Sequence, residues 1–147
     1  GIEDWKFGLD LRQIDYENTD GFDETGFDMT GAAKGFGWEN VNVVALAAEW
    51  QATPTVALRG GLSFNNSPID EDTVGFNLPA PAIIEQHMAL GATFNVSEHM
   101  MLDIAWHHGF ENDVNGPMQM PTGPVPGTAV EPNMSTDSII FGLRLAL

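Results

Sequence analysis

A chain of 147 residues with a formal net charge of −16 and only five basic side chains cannot neutralise a run of phosphates, so a nucleic-acid partner is excluded. It contains no cysteine, which removes disulfides, thiolate metal sites and thiol nucleophiles, and no run of about 18 apolar residues, which removes a transmembrane helix. Sixteen glycines and nine prolines with no long helical pattern suit an all-β chain with many turns. No signal peptide is visible from Gly1 onward, and any upstream segment would lie outside this sequence.

Testing for alternation of apolar and polar side chains predicts six strands, near 4-16, 40-51, 55-65, 83-95, 100-110 and 135-147. The first sets Trp5, Phe7, Leu9 and Leu11 against Lys6, Gly8, Asp10 and Arg12. The second is less clean, with Val44, Leu46, Ala48 and Trp50 opposite Val43, Ala45, Ala47 and Glu49. The third opposes Val56, Leu58, Gly60, Leu62 and Phe64 to Ala57, Arg59, Gly61 and Ser63. In the fourth, Ile84, Met88, Leu90, Ala92 and Phe94 share a face with one misfit, Gln86, while Glu85, His87, Ala89, Gly91 and Thr93 take the other. The fifth sets Leu102, Ile104 and Trp106 against Asp103, Ala105 and His107, and the last aligns Ile139, Phe141, Leu143, Leu145 and Leu147 opposite a face that carries Arg144.

The connections alternate in length. "QATPT" and "NVSEH" are tight polar turns that close hairpins, whereas the other three links run to roughly 18–23 residues, which is uncommon inside compact domains. Short turns on one side and long loops on the other are the habit of transmembrane β-barrels, whose strands average about ten residues. Charge placement points the same way: Lys6, Arg12, Arg59 and Arg144 share the face opposite the apolar one with Asp10, Glu49, Glu85 and Asp103. Large aromatics on the apolar face gather near strand ends, with Trp5, Trp50 and Phe94 at the short-turn side and Phe64 and Trp106 at the long-loop side, as membrane-interface girdles do. The competing reading is an acidic soluble β-sandwich, which would put mainly Lys, Glu and Thr on its outer faces.

Three stretches carry a more specific likeness. "KGFGWENVNVVALAAEW" holds a Gly-Phe-Gly-Trp lead into a strand, Gly35 to Trp38; "LRGGLSFNNSPI" holds Arg59, Gly61, Pro68 and Ile69; and "FNLPAPAIIEQHMALGATF" holds Asn77, Pro81, His87 and Gly91. In order and spacing they resemble the C-terminal part of the FadL-like and TodX-like outer-membrane transporters of long-chain fatty acids and aromatic hydrocarbons. The resemblance implies an antiparallel transmembrane β-barrel of the outer-membrane type, of which residues 1-147 form about six strands of fourteen, with a plugging hatch in the missing N-terminal part of the same barrel. It departs from the family at Trp50 and Phe64, where tyrosine is frequent, at Ala47 and Ala48 in a glycine region, and at Leu147 in place of a terminal aromatic. The outer membrane of a Gram-negative bacterium is the implied location, with outer-membrane lipid and lipopolysaccharide as surroundings, no cofactor and no enzymatic activity.

Each candidate site has a structural alternative. His87, Asp103 and His107 fall on inward positions of neighbouring strands and could touch a ligand or metal, or form a hydrogen-bonded filling of the lumen. Lys6, Arg12, Arg59 and Arg144 could guide a carboxylate or pair with Asp10, Glu49, Glu85 and Asp103. The acidic loop "DYENTDGFDETGFD" lacks EF-hand spacing and reads as a solvated extracellular loop that divalent ions could bridge to lipopolysaccharide phosphates. Met118 and Met120 could belong to a hydrophobic ligand's way in, or to an ordered loop. The leading function is passive uptake of a hydrophobic small molecule. The alternative is a structural or adhesive barrel with acidic ion-binding loops, and a hydrolase using His108 with Ser135 or Ser138 stands third, without a nucleophile motif.

Overall fold

The computed structural model describes residues 2–145. Six strands form one antiparallel sheet in the order β1 (Trp5–Ile14), β2 (Val41–Thr53), β3 (Val56–Asn65), β4 (Gln86–Ser97), β5 (Met100–Asp113) and β8 (Asn133–Leu145), while β6 (Gln119–Met120) and β7 (Gly123–Pro124) make a small hairpin in the third long loop. Two-residue strands leave no periodic signal in the sequence, so that hairpin is visible only in the structure. No second sheet covers the large one among the described residues, so the sandwich alternative fails.

The register aligns the two periodic faces across all six strands. Trp5 faces Trp50, Leu46 faces Leu62, Leu90 faces Trp106 and Ile104 faces Phe141, giving one continuous apolar face. Its side chains lie open: Phe7 is 75% exposed, Leu11 68% and Phe141 77%. In water such a surface would be an aggregation hazard, whereas in lipid it is solvated. The outer edges of β1 and β8 carry no partner strand among the described residues. Free backbone donors and acceptors at membrane depth cost several kcal/mol each, so further strands must meet both edges.

Strand boundaries differ from expectation where loop contacts intervene. The fourth strand begins at Gln86 rather than near 83, because Ile83 is buried in the loops and its carbonyl accepts from Asn112 Nδ2 at 2.7 Å, while the carbonyl of Ile84 accepts from Asn65 Nδ2 at 3.0 Å. These side-chain amides replace ladder partners and end the pairing. The fifth strand runs on to Asp113 past a bulge between Gly109 and Asn112. The first strand ends at Ile14, short of 16. Residues 146–147, including the terminal Leu147, lie outside the described residues.

The molecule's apolar core sits in the loops. Ile69, Val74 and Ile83 are buried together, with Trp38, Val114, Val130 and Met134 around them, so all three long loops contribute. Gly116 lets the third loop close on the second, since a Cβ there would stand 1.9 Å from the Glu71 carbonyl oxygen.

Candidate functional site

The face opposite the lipid-facing one divides into three levels. Nearest the short turns runs a row of charge. Cross-strand register puts Lys6 beside Glu49 and Glu49 beside Arg59, and the contacts follow: Lys6 Nζ to Glu49 Oε1 at 2.7 Å and Arg59 Nε to Glu49 Oε2 at 2.6 Å. Arg59 Nη1 donates to Thr93 Oγ1 at 2.6 Å, and the Thr93 hydroxyl donates to Asp103. Arg144 then grips Asp103 with Nε at 2.9 Å and Nη2 at 3.0 Å. Thr93 bridges because register places Gly91, not an acid, opposite Arg59. Alternation of sign removes the cost of unpaired charge in a wall, while each partly exposed pair adds little stability by itself.

Three predicted members of this charge set lie elsewhere. Glu85 precedes β4, and its Oε1 accepts from the Ser67 backbone N–H at 2.8 Å, so it ties down the second loop instead of pairing with a cation. Arg12 contacts Asp10 at 3.3 Å within β1, both exposed and apart from the row. The expected triad of His87, Asp103 and His107 also divides. The two imidazoles stack with centroids 5.3 Å apart, whereas Asp103 belongs to the charge row. Nδ1 of His87 is buried without a hydrogen-bond partner among the described residues.

Above the row, small residues form the second level. Gly8, Ala47, Gly61, Ala89, Gly91 and Ala105 floor an open trough of about 570 Å³, bordered by Lys6, Glu49, Arg59 and Asp103. The third level lies under the loops. There Ile14, Tyr16, Trp38, Val41, Val43, Pro68, Ala82, Ile84 and Met134 line an open-mouthed cavity of about 380 Å³, with Arg12, Asn65 and His87 adding charged and polar groups. Tyr16 and Trp38 meet edge to face, 4.9 Å apart at 88°, and Phe22 and Phe36 pack beside Trp38 at 5.0 and 5.6 Å. Most of these lining residues escaped sequence reasoning, and the usable signal was the density of aromatics inside an otherwise acidic loop.

The remaining candidates fall outside the cavity. Trp5 stacks on Trp50 at 5.7 Å, and both, with Phe64 and Phe94, project from the apolar face. On that face near the loops, Trp106 Nε1 donates to Asp137 Oδ1 at 3.0 Å, which His108 Nδ1 also meets at 3.0 Å. His108 is thereby engaged away from Ser138, whose register partner is His107 on the opposite face, and its side-chain partner is Asp137 rather than Ser135. Met118 and Met120 are exposed and do not line the cavity, while Gln119 between them donates to the Asp72 carbonyl at 2.9 Å. In the first loop, Asp28 accepts from Thr30 Oγ1 at 2.6 Å and from the N–H groups of Thr30 and Ala32 at 2.7 and 3.0 Å. The Thr30 hydroxyl first, then those N–H groups, hold this carboxyl below the usual carboxylate range. Asp28 thus builds a turn, and no group of three or more acids or histidines among the described residues is arranged to hold a metal ion.

A family model for the outer membrane protein transport proteins, OMPP1/FadL/TodX, matches residues 2–146. The chain belongs to this family. Its membership agrees with a sheet whose apolar face meets lipid, and it places the chain in the outer membrane. No curated protein matches the chain. Among solved structures it is similar to the toluene transporter TodX of Pseudomonas putida, with a TM-score of 0.62 at 12% identity over 97% of this chain. The chain spans 31% of that protein's length, so the OMPP1/FadL/TodX fold seen here is one sector of a β-barrel. The charge row and the cavity lie on the face opposite the exposed apolar one.

Proposed function

We propose that the barrel to which this chain contributes carries out passive uptake of hydrophobic small molecules, long-chain fatty acids or aromatic hydrocarbons, across the outer membrane. The observation that carries this reading is the cavity under the loops, whose walls are mainly aliphatic and aromatic and whose charged and polar groups are few, chiefly Arg12, Asn65 and His87. Its volume of about 380 Å³ falls within the range of small-molecule sites, which combine apolar walls with a few placed polar groups. Arg12 engages one carboxylate oxygen of Asp10 and keeps most of its five donors for another acceptor, so a fatty-acid carboxylate has a partner at this end. A bare aromatic would use the Tyr16 and Trp38 rings alone, and the solved relative is a toluene transporter.

In this reading the missing N-terminal part of the barrel closes on the edges of β1 and β8. The outer face meets membrane lipid, and the acidic loops meet lipopolysaccharide. Cells lacking their own hydrophobic-uptake barrel and expressing the full-length protein should accumulate labelled oleate or toluene faster than cells with an empty vector. Ala82→Trp, which fills the cavity, should reduce that uptake several-fold at unchanged protein level. Equal accumulation with and without the full-length protein would reject the reading.

A further inference from the structure

Two motifs that lie far apart in sequence meet at one buried side chain. Asn77 is fully buried, and its amide is saturated: Oδ1 accepts from Trp38 Nε1 at 2.6 Å, while Nδ2 donates to the carbonyls of Phe36 at 2.8 Å and Thr73 at 2.9 Å. The three partners fix the amide's orientation, because a flip would set an N–H₂ against the indole N–H and an oxygen against two carbonyls. The segment from Phe36 to Trp38 is therefore held at both ends by the second loop. Gly37 lies between them at φ +63°, where a Cβ would stand 2.2 Å from the Thr25 methyl, so the chain folds tightly enough to bring the indole back to Asn77. Trp38 also lines the cavity and meets Tyr16 edge to face.

We propose that Asn77 is the positioning residue of this cavity, holding the Trp38 ring in the one orientation that shapes its wall and so setting which ligand widths it accepts. The inference rests on the reading that the cavity seats the transported molecule. A buried amide suits this task better than an apolar side chain, since three directed hydrogen bonds specify an orientation that non-directional burial would leave open.

Asn77→Asp keeps the volume and the acceptor for Trp38 but loses both donors, and Trp38→Phe keeps a ring but loses the indole N–H. In the full-length protein, purified in detergent, binding of a straight-chain fatty acid and of toluene should be measured by quenching of intrinsic fluorescence or by calorimetry. Each variant should change the ratio of the two affinities by about tenfold, the scale of one or two lost hydrogen bonds. The double variant should change it no further than Trp38→Phe alone, and unboiled electrophoretic mobility should stay that of a folded barrel. A merely structural role would lower the folded fraction and leave the ratio intact. Folded variants with an unchanged ratio, alongside Ala82→Trp abolishing binding, would overturn the role of Asn77 and spare the cavity. If Ala82→Trp left binding untouched, the cavity would not be the seat and both would fall. Should Asn77→Asp fail to fold, an unchanged ratio in Trp38→Phe is sufficient to overturn the proposal.

Discussion

Ile69, Val74 and Ile83 in the loops are buried against their neighbours, as in a protein surrounded by water, whereas Phe7, Leu9 and Phe141 in the sheet lie open and the charges opposite them turn inward. The loops gain stability by taking apolar area out of water. The wall leaves its apolar area in place because lipid solvates it, and depends on a closed hydrogen-bond ladder with paired inward charges. The contrast teaches that one short sequence is written for two solvents, with the change occurring where β4 begins: Ile83 is loop core, and Met88 already belongs to the lipid-facing set.

Substitutions can break each half separately. Val74→Asp would bury a charge with no cation beside it and should cost the loop core about 3–5 kcal/mol. Limited proteolysis should then cut the loops while unboiled mobility still reports a folded barrel. Leu46→Arg places a charge on the lipid-facing side of β2 and should lower stability in bilayers by about 2–4 kcal/mol, whereas Ala45→Arg, on the opposite face, should lower it much less. Equal losses in denaturant titrations would contradict the assignment of faces. Glu49→Gln, which leaves Lys6 and Arg59 without their shared anion, should destabilise more weakly, and the loss should change with salt concentration.

The smallest effect concerns the turn at Asp28. Its carboxyl titrates below the ordinary value in the folded loop, so its contribution is complete above a pH of about 4 and is lost as pH falls through the lower folded value. Amide chemical shifts of Thr30 and Ala32 should follow that single titration. A midpoint above the ordinary carboxylate value would show that the turn is not held as described.

The wall was legible because two solvents impose a strict period of two, so that Trp5, Leu46 and Phe141 declare their face without any knowledge of partners. The charge row was legible for the same reason, yet parity alone could not say that the Thr93 hydroxyl would sit between Arg59 and Asp103, whose direct approach is only 4.0 Å. Glu85 reads as an inward strand residue because the alternation extends back through Ile84 and Glu85 although the strand begins only at Gln86. The cavity was not legible, since Tyr16, Trp38, Val43, Ala82 and Met134 come from four segments of the chain that only tertiary contacts unite. Trp38 and Asn77 stood out by family resemblance, but nothing in the sequence said that they touch.

The most direct test of the central claim uses two neighbouring positions on β2. Val43 lines the cavity and Val44 projects into lipid, and this chain has no cysteine of its own to interfere. Val43→Cys and Val44→Cys in the full-length protein, each carrying a spin label, would be examined in bilayers before and after adding a hydrophobic ligand. Ligand should restrict the label at 43 and shield it from a water-soluble relaxation agent, while the label at 44 stays accessible to dissolved oxygen and unchanged by ligand. Ligand protection at 44, or at neither position with uptake intact, would contradict the account.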